Sequence, residues 1–245
     1  MIKLIDTPAD LHISGDTPFG CRIRSVVGAY GVGEPFAQFW VQDGGTALAK
    51  LDDAVLLEEG GSLNREELSG FVRMLGAKTL SCTEQNAGKL GFLAARSGEI
   101  MAAPGSVSAP DRAAGAELNP NLREAYALLC AAETSGFVPP EFEPFYMDVS
   151  HRIRHGAALS AGIRDGGELR AFALCSSMTE RAAVVSSVAV LPECRRRGFG
   201  RAVVAALTAA LCRKKIYIFR ADGENEAFYR AVGFRACGRW AECRL

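Results

Sequence analysis

The stretch from Ala182 to Leu207 limits what this chain can fold into more than any other part of it. Ala182 to Leu191 is apolar and rich in β-branched residues, which reads as a buried strand. Pro192 stops that strand, because proline brings no N–H to a sheet ladder. A turn made of Arg195, Arg196, Arg197, Gly198, Phe199, Gly200 and Arg201 follows and opens directly into an alanine- and leucine-rich helix. Strand, glycine turn and helix N-terminus in that order make a site for phosphate. The first N–H groups of a helix lack intrahelical partners and point at an anion, and the macrodipole favours negative charge there. The two glycines let the backbone come close to oxygen atoms, and four arginines surround the same point. These residues predict a cradle for a polyphosphate.

The cradle lacks the Lys-Ser/Thr ending of a Walker loop and the three-glycine pattern of a dinucleotide fold. Its spacing, Arg195-x-x-Gly198-x-Gly200 preceded by Val190-x-Pro192, resembles the acetyl-CoA signature of the GCN5-related N-acetyltransferases (GNAT). A second element lies downstream, Asn225-Glu-Ala-Phe228-Tyr229-Arg-Ala-Val-Gly233-Phe234. It resembles that family's Asn-x-x-Ala/Phe-Tyr-x-x-x-Gly-Phe element. The two signatures stand in the family's order, joined by a helix and a strand, and the resemblance covers roughly the last half of the chain.

The resemblance implies an α+β fold with a mixed, mostly antiparallel twisted sheet flanked by helices. It also implies acetyl-CoA as cosubstrate and transfer of the acetyl group to a primary amine of a small molecule or peptide. By the same resemblance, backbone groups of Val188, Ala189 and Val190 pair with the pantetheine arm. Backbone N–H groups from Arg195 through Arg201 take the pyrophosphate, and Asn225 contacts CoA. The position of Asn225 equally suits a helix N-cap, and both roles are compatible. Tyr229 is the candidate general acid, since a phenol stays protonated at neutral pH and donates to a departing thiolate. Packing in an apolar helix is its competing role. The base has no single candidate: the strand Ala182 to Leu191 carries no carboxylate, which leaves a helix acid, Glu180, a water chain, or an amine that arrives deprotonated.

Charge supports the anionic cofactor. The chain has 28 basic and 28 acidic residues, yet residues 195–245 hold 12 basic against 4 acidic. Four of those 12 sit in the cradle, and CoA carries a pyrophosphate and a 3′-phosphate. A nucleic-acid-binding module is the rival reading of a basic end, but aromatic residues are few among these arginines. A non-catalytic CoA-binding sensor or regulator is the other rival, and Tyr229 argues against it. The 8 cysteines form no Cys-x-x-Cys pair, which points to reduced thiols, a cytoplasmic location and no metal site. Cys194, beside three arginines, reads as a small residue filling a tight turn. His151 and His155 have metal-ligand spacing without a third ligand in view. The longest apolar stretch, Ala202 to Cys212, is too short to cross a bilayer. Nothing in the sequence sets the oligomeric state.

In chain order, the first 35 residues alternate turn formers with short apolar pieces, of which Cys21 to Tyr30 is a strand candidate. Phe36 to Gln42, Asp43-Gly44-Gly45 and Thr46 to Leu51 read as a hairpin, followed by the apolar run Ala54 to Leu57. Asn64 opens an acid-rich helix start, Lys78 to Cys82 is a short strand candidate, and Asn86 to Phe92 follows. The order recurs: Asp165-Gly166-Gly167 joins Ala158–Arg164 to Leu169–Ser176, and Ile216 to Arg220 precedes Asn225 to Phe234. The Asp-Gly-Gly turns lie 122 residues apart and the Gly-Phe pairs 142 apart, a difference that a fuller strand and a cradle would fill. The expected organisation is therefore a tandem: 1–104, a degenerate copy without a CoA loop; 105–112, a linker; 113–245, the acetyltransferase domain. In the second copy Asn119-Pro120 is the expected cap of a helix carrying Leu122 to Ala132, and Glu141 to His155 a second helix. The resemblance makes these two helices one wall of the acceptor site, where Glu141, Glu143 or Asp148 could meet an amine.

Overall fold

The computed structural model describes residues 1–13, 15–61, 63–104, 115–132 and 138–245. The expected linker, 105–112, lies outside the described residues. The chain forms two compact units: Met1–Met101 with Phe219–Glu226 and Ala236–Leu245, and Ala102–Ile218 with Ala227–Arg235.

The first unit is built on a meander. Strands β1 (Ile2–Leu4), β2 (Ala37–Gln42), β3 (Thr46–Leu51) and β4 (Ala54–Glu58) pair antiparallel in that order. After helix α2 (Arg65–Met74), β5 (Thr79–Thr83) returns parallel to β4, with Ala54 opposite Thr79. Helix α3 (Glu84–Leu90) and β6 (Ala94–Pro104) complete this part of the chain. Alternation sorts the side chains. Leu48, Val55 and Leu57 join Leu68 and Val72 of α2 in one core, whereas Ala47, Ala49 and Leu56 join Ile23, Val26 and Val27 in another.

Those last three residues belong to helix α1 (Pro18–Tyr30), where the sequence offered a strand. Thr17 caps the helix by accepting from Gly20 N–H at 3.1 Å, and Pro18 stands at its first turn. With the start fixed, Phe19, Ile23, Val26 and Val27 recur at helical spacing and are buried. The last strand of the chain, β12 (Arg235–Arg244), also belongs here. It pairs antiparallel with β5 from Trp240 opposite Thr83 to Arg244 opposite Thr79, burying Ala241 and Cys243.

In the second unit β7 (Ala116–Leu118), β8 (Leu159–Asp165), β9 (Glu168–Met178) and β10 (Ala182–Val190) are antiparallel neighbours. Strand β11 (Lys215–Ala221) lies parallel to β10, across helix α6 (Phe199–Ala210). Helices α4 (Leu122–Ala131) and α5 (Phe142–Arg154) cover the sheet through Leu128, Leu129, Phe145 and Val149 packed on Phe172, Leu174 and Ala189. The cap of α4 is Asn121, which accepts from Arg123 N–H at 2.8 Å. Asn119, expected to cap it, instead holds a left-handed φ of 50° and accepts from Ser160 N–H at 3.0 Å. With Asn119 engaged by Ser160, the cap falls to Asn121 on the other side of Pro120. The hairpin–strand–helix–strand order thus occurs in both units, in the mixed, mostly antiparallel α+β architecture expected.

Candidate functional site

The site grows from a strand that loses its neighbour partway along. Strand β10 pairs with β11 from Ala182 opposite Lys215 to Val185 opposite Ile218, although β10 continues to Val190. On its other side it stays paired with β9 up to Val190 opposite Ala171. The departure coincides with a register irregularity at Val185–Ser187, where Ser186 is exposed and its hydroxyl approaches Leu174 O at 3.4 Å. Leu191 N–H donates to Arg170 O at 3.0 Å. In an antiparallel ladder alternate residues face the partner, so Ala189 is directed at β9. Val188 and Val190 direct their N–H and C=O groups to the opposite edge.

A 3-10 turn at Pro192–Cys194 carries the chain from this edge into the cradle, with Cys194 buried inside it. Gly198 then takes φ 87° and ψ −6° as the N-cap of α6. That left-handed conformation strains any residue with a Cβ. No side chain caps this helix, and its first intrahelical bond runs from Ala202 N–H to Gly198 O at 3.0 Å. Gly200 faces inward: a Cβ there would lie 3.3 Å from Phe228 and 3.4 Å from Val190. Strand end, cradle and the second signature therefore converge at Val190, Gly200 and Phe228.

The arginines do not act alike. Arg196, Arg197 and Arg201 are exposed around the helix start, with Arg196 at φ 59° and Arg197 over the Phe199 ring at 5.6 Å. Arg195 folds back, its Nε 3.4 Å from Val190 O and a terminal nitrogen 3.4 Å from Ala132 O. It straps the turn to the end of α4, a contact between residues 63 positions apart that no local pattern announces.

The second signature forms helix α7 (Glu226–Ala231). Phe228 and Tyr229 are half-buried, and the tyrosine ring stands edge-on to Phe228 at 5.1 Å and to Phe234 at 6.1 Å. Asn225 immediately precedes the helix with φ 50°, in the left-handed region and not in the extended conformation of an N-cap.

Among the acids of α5, Asp148 is bound by Arg152 at 2.7 Å, while Glu141 and Glu143 are exposed. His151 and His155 stack at 4.1 Å, and no group of three possible metal ligands occurs among the described residues. An open cleft lined by Arg213, Lys214 and Lys215 lies where β10 and β11 begin, away from the cradle at the end of β10. No described helix is long and apolar enough to cross a membrane.

The sequence model of the acetyltransferase (GNAT) family matches residues 122–234. The sequence matches no curated protein. A GCN5-related N-acetyltransferase from Kribbella flavida is similar in fold, at TM-score 0.59 and 17% identity, over 83% of this chain and 88% of that one. A tandem GNAT protein from the clavulanic acid biosynthesis pathway aligns at TM-score 0.57 and 16% identity, over 97% of this chain and 90% of its own. A GNAT-family acetyltransferase from Colwellia psychrerythraea aligns at 0.57 and 14%, over 100% and 99%. The family match spans both signatures, and the fold shared with GNAT proteins extends along nearly the whole chain, so residues 122–234 match the acetyltransferase (GNAT) family within a GNAT-like fold.

Proposed function

We propose that the second unit transfers an acetyl group from acetyl-CoA to a primary amine of a small molecule or peptide. The observation that carries this reading is the junction at Val190: a strand edge turned away from its ladder runs straight into a glycine-capped helix start. Val188 and Val190 would hold the amide groups of the pantetheine arm as a further strand would, with Ala189 between them. The N–H groups from Arg195 to Arg201 would take the pyrophosphate, and the exposed Arg196, Arg197 and Arg201 would neutralise the remaining phosphate charge. By the resemblance, Asn225 would also contact CoA.

The reaction is direct. A neutral amine adds to the thioester carbonyl carbon, the C–S bond breaks, and the nitrogen loses a proton. Holding both reactants in line removes the entropic part of the barrier, and Tyr229 donates its proton to the departing thiolate. The first unit would act as a degenerate copy that binds no CoA. Its corresponding turn uses its own donors: Gly61 N–H goes to Gly44 O at 2.7 Å and Gly60 N–H to Thr46 Oγ1 at 3.1 Å. The eight free cysteines suit a reducing cytosol.

Calorimetric titration of the full chain with CoA tests the reading. Gly198→Glu replaces the left-handed glycine and puts a carboxylate at the cradle, so a folded Gly198→Glu protein should show no CoA binding. Unchanged affinity would remove the cofactor assignment. Thiol release from acetyl-CoA with a panel of amines then separates an enzyme from a protein that only senses CoA.

A further inference from the structure

The second unit carries a cationic cleft that its proposed chemistry does not use. The cleft has a volume of 530 Å³ and is lined by Ala102, Ala103 and Pro104 at the end of β6 and by Arg213, Lys214 and Lys215 before and at the start of β11. All six residues belong to that unit. Helix α6 separates the cleft from the cradle: Gly198 caps its first turn, and its last turn leads through Leu211 and Cys212 into Arg213. A helix of 12 residues is about 18 Å long, so the two places are distinct. A cleft of this volume is of the size that takes a small molecule.

Its three cations are held differently. Lys214 is committed to the β9–β10 connection, where its Nζ donates to Thr179 O at 2.6 Å and to Glu180 O at 2.9 Å. Lys215 is fixed through its backbone N–H, which donates to Arg181 O at 2.8 Å, and its exposed ammonium stands 5.1 Å from the centre of the Tyr217 ring. Arg213 is exposed, and among the described residues its guanidinium has no partner. Its backbone holds a left-handed φ of 70° in the turn that Lys214 N–H closes on Leu211 O at 3.2 Å. Glycine is the usual residue for that conformation after a helix, and an arginine is strained there. No contact of its side chain offsets the strain. Nearby Glu180 and Arg181, both exposed, cancel in charge, so the cleft keeps its three positive charges unopposed.

Two of the lining residues thus offer cationic groups, and Ala102, Ala103 and Pro104 offer only apolar side chains. We propose that this cleft binds a small organic anion, a phosphate ester or a carboxylate with an apolar body. Arg213 and Lys215 take the anionic group, and Ala102 to Pro104 face the apolar part. The site is separate from the cradle and does not depend on the assignment of CoA to it.

The test titrates the full chain, labelled with nitrogen-15, with phenyl phosphate, benzoate and inorganic phosphate, and follows the amide signals residue by residue. Phenyl phosphate or benzoate should shift the amides of Ala102, Ala103 and Arg213–Lys215 and saturate, and the tighter of the two assigns the anionic group. Phenyl phosphate should bind about tenfold tighter than inorganic phosphate, because its ring adds apolar contact. Arg213→Gln should weaken the tighter probe about tenfold through loss of a charge-assisted hydrogen bond. Arg213→Gly should weaken it as much while raising Tm, because glycine takes the left-handed turn without strain; an arginine kept only for structure would give no loss of binding. Cleft amides that stay still with all three probes, shifts confined to Gly198–Arg201, or an unchanged affinity in a folded Arg213→Gln protein would each overturn the site.

Discussion

Glu58 offers a prediction whose sign and size follow from its surroundings. It ends β4 and is 7% exposed, with its carboxyl turned toward the start of α1. Burial pushes its pKa from 4.5 to about 7, against the opposing pull of the Thr17 hydroxyl and the Gly20 N–H, which hydrogen-bond the charged form. An acid whose folded pKa is raised holds its proton in the native state at pH values where the unfolded chain has lost it. Stability from this group is fully present below about pH 4.5 and is lost as the pH rises to about 7. The slope across that window is about 1.4 kcal/mol per pH unit, so the native state loses about 3 kcal/mol relative to a residue that cannot ionise. Glu58→Gln is that residue, and its amide oxygen still accepts from Thr17 or Gly20. Urea denaturation of both proteins between pH 4 and 8 should give curves that coincide in acid and separate with rising pH. By pH 8 the glutamine form should be more stable by about 3 kcal/mol. The difference curve isolates Glu58 from Asp43, Asp53 and Asp222. Ion pairs and hydrogen bonds hold those carboxyls below the usual range, so they lose stability only in stronger acid. Parallel curves, or a glutamine form that is weaker at pH 8, would refute a buried neutral Glu58.

Three further outcomes concern the proposed chemistry. Tyr229→Phe removes only a hydroxyl, so CoA affinity should hold while kcat falls by about 10²-fold without a matching rise in KM; an intact kcat with a good amine assigns Tyr229 to packing. Titration should give one CoA per chain, and two equivalent sites would contradict a degenerate first unit. Residues 113–245 expressed alone should aggregate, because β12 would lose β5 and expose Ala241 and Cys243 with an unpaired strand edge; a soluble, active fragment would refute this.

What the sequence disclosed was whatever a short window determines. The Asp-Gly-Gly hairpins, the Asn64 start of α2, the strand before Pro192 and the glycine cap of α6 each rest on residues within one turn of each other. The Cys21–Tyr30 stretch shows how composition alone misleads: its valines and isoleucine suggest a strand, but the Thr17-Pro18 pair upstream fixes a helix start. Pairings across distance left no such trace. Nothing in Arg235–Arg244 says that it lies beside Thr79–Thr83, and nothing in the apolar run of β10 says that β11 leaves it at Val185. One hint was present, since Ser186 and Ser187 interrupt that run where the register breaks. Arg220 ends the run Ile216–Arg220, and its pairing with Glu99, 121 residues away, left no mark in the sequence.

The two glycine turns of this chain show what separates a binding cradle from an ordinary connection. Each follows a strand that has a parallel neighbour, and each leads into an amphipathic helix. After β4, Gly60 is pressed against the Gly44–Thr46 backbone so tightly that a Cβ would stand 2.2 Å from the Gly45 carbonyl carbon. The N–H groups of Gly60 and Gly61 are taken by that same hairpin, and Asn64 caps the helix by accepting from Glu67 N–H at 3.3 Å. Glu59 is bound to Lys89 at 2.6 Å, and Glu58 is folded inward. Close approach is used there to join protein to protein. After β10, a Cβ on Gly198 would meet nothing within 4 Å, so this glycine serves conformation and not packing. Its helix has no side-chain cap, and three arginines stand exposed around it. Each of the two stretches carries two glycines, Gly60 and Gly61 after β4, Gly198 and Gly200 after β10. The difference lies in the donors: the turn after β4 spends its N–H groups on the hairpin beside it, whereas no side chain caps the helix after β10 and positive charge rings its start, as the proposed anion site requires.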